Sequence, residues 1–190
     1  TKFKIPFVDL KKINQPYKRR YVSFLKDAID NSNFIKGNNV YLLERALVKT
    51  FKCKYSLTLN SGTDALIVAI KSLGLKPGDE ILTTSNTWIS SAYAIEINNC
   101  IPKFIDVNKN NFQINPDLIE KKITKKTKAI IVTHLYGMPN DMDHICKIAK
   151  KNKLFIIEDI AQSHLAEYKK KIVGNFGDIA CMSFYPSKNL

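Results

Sequence analysis

Arginine is scarce in this sequence: Arg19, Arg20 and Arg45 are the only three among 30 basic residues. Nucleic-acid readers rely on the planar guanidinium for bidentate contacts to bases and phosphates. The formal net charge of +13 therefore does not point to a nucleic-acid partner. Nearly all the positive charge is lysine, in helix-like or loop stretches such as 121–128, 147–153 and 168–172, which read as a solvated basic face. Its long-range field favours anionic substrates without identifying one. Cysteine is sparse and scattered: Cys53, Cys100, Cys146 and Cys181 form no C-x-x-C pair, so neither a zinc site nor a disulfide framework is expected. No apolar run approaches the ~20 residues of a membrane span. The opening residues hold no uncharged core of signal-peptide length, which leaves a cytoplasmic location as the expectation. A P-loop, a G-x-G-x-x-G fingerprint and an H-E-x-x-H pair are all missing, so no mononucleotide loop, dinucleotide site or metal centre is expected.

What is present is the composition of a globular protein, with 190 residues, 45% of them hydrophobic and 25% charged. An extended lead-in precedes an amphipathic helix on which Tyr17, Tyr21, Phe24, Leu25, Ala28 and Ile29 recur at three- and four-residue spacing. Gly37 closes that unit, and a second helix is expected from about Val40 to Phe51. From Tyr55 onward, short apolar runs alternate with helical stretches. Strands are expected at 55–60, 80–85, 101–107, 128–135, 154–160 and 179–185, and helices at 63–74, 87–98, 116–123 and 141–152. This alternation predicts an α/β fold with a mostly parallel sheet and helices on both faces. The last two strands are joined instead by a polar stretch with Gly174 and Gly177, expected to be turn-rich or a hairpin. The chain stops soon after a buried-looking strand, so a truncated α/β domain is expected.

Ligands of such sheets collect at the carboxyl ends of the strands. There the sequence places Asn60-Ser61-Gly62-Thr63-Asp64 before a helix, a phosphate cradle by its backbone N–H groups and hydroxyls, or equally an ordinary helix cap. Trp88, the only tryptophan, offers a flat indole for stacking on a planar ring, or a core aromatic at a helix start. Asp159 at the tip of an apolar strand needs a partner if buried, and a protonated ring nitrogen would serve; otherwise it is an exposed helix cap. Gln162 follows, with an amide able to hydrogen-bond a neighbouring phenolic oxygen. Ser183, Ser187 and Lys188 come last, two hydroxyl donors and a primary amine of the kind that forms a Schiff base. His134 is expected to line the pocket and His164 to back the ring, whereas His144 follows a capping sequence.

These segments together resemble the DegT/DnrJ/EryC1/StrS sugar aminotransferases, of the aspartate-aminotransferase fold type I. The resemblance is carried by IPFVDL, FIKGNNVYLLE, NSGTDAL, LKPGDEILTTSNTW, VTHLYGMPNDMDHI, IIEDIAQSH and SFYPSKNL, in that order. It implies pyridoxal 5'-phosphate (PLP) as cofactor, with Lys188 as the Schiff-base lysine and proton shuttle. It further implies that Asp159 pairs with the ring nitrogen, Gln162 contacts the ring hydroxyl, Trp88 stacks on the ring, and Gly62, Thr63 and Ser183 bind the phosphate. The implied reaction is amino transfer, with glutamate as donor, to a nucleotide-linked keto-sugar. The wording SFYPSKNL is similar to members that aminate 3-keto sugars on a thymidine nucleotide, and the implied setting is polysaccharide or lipopolysaccharide O-antigen biosynthesis. Relatives that dehydrate carry histidine in place of the lysine. Cyclitol aminotransferases and a non-catalytic truncated α/β fragment stand as alternatives. Family members are about twice this length, so the resemblance implies an arm and helix over 1–36 and part of the large domain over 37–190. The rest of the large domain, the small C-terminal domain and the partner subunit of a homodimer would lie outside the chain.

Overall fold

A computed structural model describes residues 5, 6 and 8–189. The beginning of the expected extended lead-in lies outside the described residues. The chain divides into two compact units, Thr1–Thr58 and Leu59–Leu190. In the first, Asp9 caps helix α1 (Leu10–Asn14) by accepting from the Lys12 N–H. A 3-10 turn at Gln15–Tyr17 leads into α2 (Lys18–Asp30), and α3 runs over Asn38–Phe51. The periodic apolar positions of α2 do form one helix, but Tyr21, Phe24, Leu25 and Ile29 are all exposed. Gly37 is the N-cap of α3, and Glu44 on that helix accepts from both the N–H and the hydroxyl of Thr58, at 2.7 and 2.9 Å.

The second unit is built around a five-stranded sheet. Helix α4 (Gly62–Ser72) comes first, then β1 (Glu80–Thr84), α5 (Ser90–Ile97), β2 (Ile101–Ile105) and α6 (Ile119–Lys122). They are followed by β3 (Thr127–Thr133), α7 (Met142–Asn152), β4 (Phe155–Asp159), a small hairpin of β5 (Glu167–Tyr168) and β6 (Lys171–Ile172), and β7 (Ile179–Cys181). The sheet order is β2-β1-β3-β4-β7, and every pairing is parallel. Isoleucine and threonine dominate β1, β3 and β4, as expected of strands covered on both sides. On one face Leu82, Ile105, Ile130, Val132 and Ile156 pack with Ile119 of α6 and Met142, Ile145 and Ile148 of α7. On the other, Ile81, Ala129, Ile131, Ile157 and Cys181 pack with Leu66 and Ile70 of α4 and Ala94 and Ile95 of α5. The α/β class with helices on both faces is thus observed.

Strand order fixes where a ligand can sit. From β1 the chain steps outward to β2 through α5; from β3 it steps the opposite way to β4 through α7, on the other face. β1 and β3 are neighbours, so the order reverses between them, and the crevice opens beyond their carboxyl ends.

Three expectations need correction. Residues 55–60 form no strand: Tyr55 and Leu57 are 78% and 69% exposed, and among the described residues the segment joins no ladder. An apolar alternation alone is not a strand without a neighbour to take its backbone N–H and C=O groups. The final strand ends at Cys181 rather than continuing to Tyr185, beyond which the backbone turns and Lys188 N donates to Tyr185 O at 2.8 Å. Trp88 does not open a helix; α5 begins two residues later, at Ser90. Among the described residues no helix is long and apolar enough to cross a membrane.

Candidate active site

At the carboxyl edge of the sheet, alternation decides which side chain goes where. Asp159 follows Ile157 by two residues and faces α4 and α5, and in the ladder it stands opposite Thr133. Its carboxylate is 7% exposed and receives the Ala161 N–H at 3.0 Å. Burial pushes its pKa above the ordinary aspartate value, opposed by the Ala161 N–H and by the Lys188 ammonium. The alternative of an exposed helix cap is thereby excluded.

Gly62 opens α4, whose N-cap Ser61 accepts from the Asp64 N–H at 3.0 Å. A Cβ at Gly62 would stand 3.0 Å from Cβ of Ser183 and 3.4 Å from the Met182 carbonyl. The start of α4 and the segment after β7 therefore meet, and only a residue without a side chain leaves both in place. The Thr63 hydroxyl lies 2.7 Å from that of Ser90, tying the starts of α4 and α5 together. Gly62→Ala is expected to cost about 1–2 kcal/mol through overpacking against Ser183, measurable by denaturant unfolding.

Gln162 accepts the Tyr136 N–H at 3.0 Å through its side chain, and its carbonyl receives the Asn189 side chain at 3.5 Å. The first contact holds Tyr136 in a left-handed turn (φ 59°), and the second draws the loop carrying Lys188 to the end of β4. Trp88 is 73% exposed and has no aromatic partner among the described residues. Asn86 Nδ2 and Thr133 Oγ1 are shielded from solvent yet have no partner among the described residues. The His164 ring lies 5.9 Å from that of Phe184, and burial lowers its pKa, against a contact with the Ser183 backbone. Gly62, Thr63, Asp159, Gln162, Ser183 and Lys188 all belong to elements that converge on this edge, and Trp88 stands on the β1–α5 connection there.

His134 does not line the crevice. It is fully buried on the α7 face, where its Nδ1 accepts the Asn140 N–H at 3.1 Å and its Nε2–H donates to Glu158 at 3.1 Å. Thr133, not His134, shares the face of Asp159. Glu158 is the residue that sequence reasoning missed. Its carboxylate, 0% exposed, also receives the N–H groups of Gly174, Phe176 and Gly177 at 2.8, 2.7 and 2.6 Å. Burial pushes its pKa up, but the His134 donor and the backbone N–H groups together outweigh that and hold it below the ordinary range. Gly177 is pressed against β4, where a Cβ would lie 2.6 Å from the Ile156 carbonyl. Glu158 thus clamps the turn that feeds β7, and through β7 the Ser183–Lys188 segment, to the strand that bears Asp159. The signal was available: a carboxylate within an apolar strand, followed by a Gly-x-x-Gly turn able to offer N–H groups.

Among the described residues, no group of three or more His, Cys, Asp or Glu side chains could hold a metal ion. Cys100 and Cys181 are buried, Cys53 and Cys146 half-buried, and all four are free thiols. Burial, reinforced by Asp159, pushes Cys181 up to about 12 and leaves it inert.

A doubly wound sheet brings a glycine-opened helix, a buried carboxylate and a loop lysine to one edge, the layout of an α/β fold with its ligand crevice at the strand ends. The chain belongs to the DegT/DnrJ/EryC1/StrS aminotransferase family, whose match covers residues 17–190. It is 42% identical over 180 residues to a dTDP-3-amino-3,6-dideoxy-alpha-D-galactopyranose transaminase of Aneurinibacillus thermoaerophilus, covering 95% of this chain and 50% of that protein. It is 39% identical over 186 residues to a UDP-N-acetyl-3-dehydro-alpha-D-glucosamine 3-aminotransferase of Acidithiobacillus ferrooxidans, covering 98% of this chain and 50% of the relative. Among solved structures, NtdA of Bacillus subtilis with bound cofactor PMP superposes with a TM-score of 0.92 at 32% identity, over all of this chain and 43% of that one. The chain spans about half the length of the curated relatives it matches.

Proposed function

We propose that this chain forms most of one subunit's cofactor site in a PLP-dependent aminotransferase. The enzyme transfers an amino group from glutamate to a nucleotide-linked keto-sugar, of the dTDP-3-keto-deoxyhexose class. In this reading residues 37–190 are part of the large domain and 1–36 its leading arm and helix. The complete active site then needs the remaining half of a relative-length chain and, in a homodimer, the partner subunit. The observation that carries the reading is the buried Asp159 at the edge where the start of α4 meets Ser183 and to which the Asn189–Gln162 contact draws the Lys188 loop.

The residues fit the cofactor. A buried carboxylate with a raised pKa and no cationic side chain bonded to it matches a protonated ring nitrogen. The close approach of backbone at Gly62, with the hydroxyls of Thr63 and Ser183, matches a phosphate at a helix N-terminus. The exposed Trp88 supplies a plane for the ring, Gln162 an amide for its hydroxyl group, and Lys188 a primary amine for covalent attachment. The shielded atoms of Asn86 and Thr133, without a partner among the described residues, support a site that receives further polar groups.

When bound, PLP supplies an electron sink for the bonds at the amino-bearing carbon. The chain's own part is to bind, orient and move protons. Asp159 keeps a positive charge on the ring nitrogen, and the Glu158 clamp holds Asp159 and the Lys188 loop at fixed separation. Lys188 Nζ would take the proton lost at the donor's amino-bearing carbon and would deliver a proton to the keto-sugar carbon that gains the amino group. A dehydrating reaction is disfavoured because position 188 is lysine, not the histidine of the dehydrating relatives. The choice of a dTDP-linked 3-keto sugar is supported by the SFYPSKNL segment and by the dTDP-sugar transaminase among the relatives. Such a product would enter polysaccharide biosynthesis.

The test is covalent trapping. The full-length protein is incubated with PLP, reduced with borohydride and mapped by peptide mass spectrometry. One dominant adduct on Lys188, absent from Lys188→Ala, is the expected result. Adducts scattered over surface lysines of a well-folded full-length chain would overturn the assignment.

A further inference from the structure

The lysines that read as three separate runs are gathered by the fold. Helices α6 and α7 pack on the same face of the sheet, and the β5–β6 hairpin joins that layer through Tyr168 and the neighbouring Phe176. Lys151 on α7 pairs with Glu120 on α6 at 2.8 Å, and the Tyr168 hydroxyl donates to Asp141 at the head of α7 at 2.7 Å. Lys169 of the hairpin pairs with Asp143. The three elements therefore make one continuous surface.

Charge within residues 59–190 is strongly segregated onto it. Segments 115–128, 141–153 and 167–171 hold 12 of the 17 lysines of this unit against five carboxylates. The remaining five lysines face eight carboxylates. All 12 lysines are exposed, and among the described residues only Lys151 and Lys169 are paired with a carboxylate.

We propose that this layer is a docking surface for an anionic lipid bilayer, held by charge alone. Three observations choose that partner. The layer carries no arginine, so it lacks the fork that reads bases or clamps a single phosphate; ammonium groups act as hydrated point charges. None of the large apolar side chains exposed elsewhere on the chain belongs to these segments. Its two rings, Tyr168 and Phe176, are half-buried with Lys169 and Lys171 over them, so no exposed ring is offered for stacking single-stranded nucleic acid or anchoring a protein interface. Finally, the apolar stripe of α7 (Met142, Ile145, Ile148 and Ala149) is buried in the core, so nothing is left to insert between acyl chains. A broad lysine surface without exposed rings fits a fluid anionic plane, which asks for no fixed geometry. Contact of this kind is peripheral and needs no membrane-spanning helix. It does not depend on the cofactor assignment.

The experiment is vesicle co-sedimentation of the full-length protein, with phosphatidylcholine vesicles containing about 30% phosphatidylglycerol at about 0.1 M salt. Binding is expected to the anionic vesicles, to be absent from pure phosphatidylcholine, and to disappear by about 0.5 M salt. The triple variant K147Q/K150Q/K170Q is expected to bind roughly 100-fold more weakly, at about fivefold per lysine. K71Q/K76Q/K109Q removes the same charge from exposed positions outside the layer and is expected to stay within about threefold of the parent. The two triples losing affinity equally would overturn the proposal, since net charge rather than this face would then be responsible. So would binding that ignores phosphatidylglycerol, or tighter binding of a short duplex DNA than of the vesicles at the same salt.

Discussion

Glu158→Ala is expected to lower the unfolding free energy by about 3–5 kcal/mol, the range found when one partner of a buried charged hydrogen-bond cluster is removed. Four donors lose their acceptor at once: His134 Nε2 and the backbone N–H groups of Gly174, Phe176 and Gly177. The His134 donor is fully buried and the three backbone donors are half-buried, and a buried donor left unpaired costs about 1–3 kcal/mol. Domains have only about 5–15 kcal/mol in hand, so denaturant melts should show a large fraction of stability gone. Glu158→Gln separates charge from shape. An amide keeps the volume but offers one acceptor oxygen where the carboxylate uses two, so an NH2 must face either the Phe176 and Gly177 pair or the Gly174 and His134 pair. It should therefore fall between alanine and the parent. A pH series adds a second readout. The folded pKa of Glu158 lies below its ordinary 4.5, so its contribution is present above that value and is lost as pH falls through the folded value. The parent should lose stability on acidification in that window, and Glu158→Ala should lack this part of the loss. If alanine costs less than about 1 kcal/mol, the clamp is not what holds the β7 segment to β4.

The same clamp shows what the sequence could and could not say. The alternation of apolar runs and helical stretches made the parallel sheet and its two helix layers legible, because each run carries its own periodicity. The capping residues Ser61 and Asp141 were legible for the same local reason. Residues 55–60 failed because a strand is a relation between two segments, and no ladder partner for them lies among the described residues. His134 and Glu158 failed through parity. In Val132-Thr133-His134 and Ile157-Glu158-Asp159, one residue of register decides whether a polar side chain faces the crevice or the core. That parity was legible only once Ile156 and Ile157 were assigned to opposite faces. The lysine runs were legible as solvated but not as one layer, since they lie up to 50 residues apart and meet only through the packing of α6, α7 and the hairpin.

Asp159→Asn should separate the chemistry of the site from its construction. Asparagine preserves the bond from the Ala161 N–H and the side-chain volume, so the fold and the Lys188 loop should be unchanged. What disappears is the negative charge that would keep the cofactor's ring nitrogen protonated. Turnover is expected to fall roughly 100- to 1,000-fold, the usual effect of removing one preorganised electrostatic partner. The borohydride adduct on Lys188 should persist, because covalent capture needs the amine rather than the carboxylate. Stability should move the opposite way. Burial raises the Asp159 pKa, so without cofactor the folded chain loses stability as pH rises from the unfolded carboxyl value through the folded one. Cofactor-free Asp159→Asn should therefore melt higher than the parent at neutral pH and lack this decline. Adding PLP should reverse the order, since only the parent gains an ion pair with the ring. Equal stabilisation of both proteins by PLP would mean that Asp159 does not meet the ring nitrogen. Turnover within about threefold of the parent would mean that its charge does not serve the reaction. A site that costs stability when empty and repays it on binding its cofactor is what a buried carboxylate bonded only to the Ala161 N–H leads one to expect.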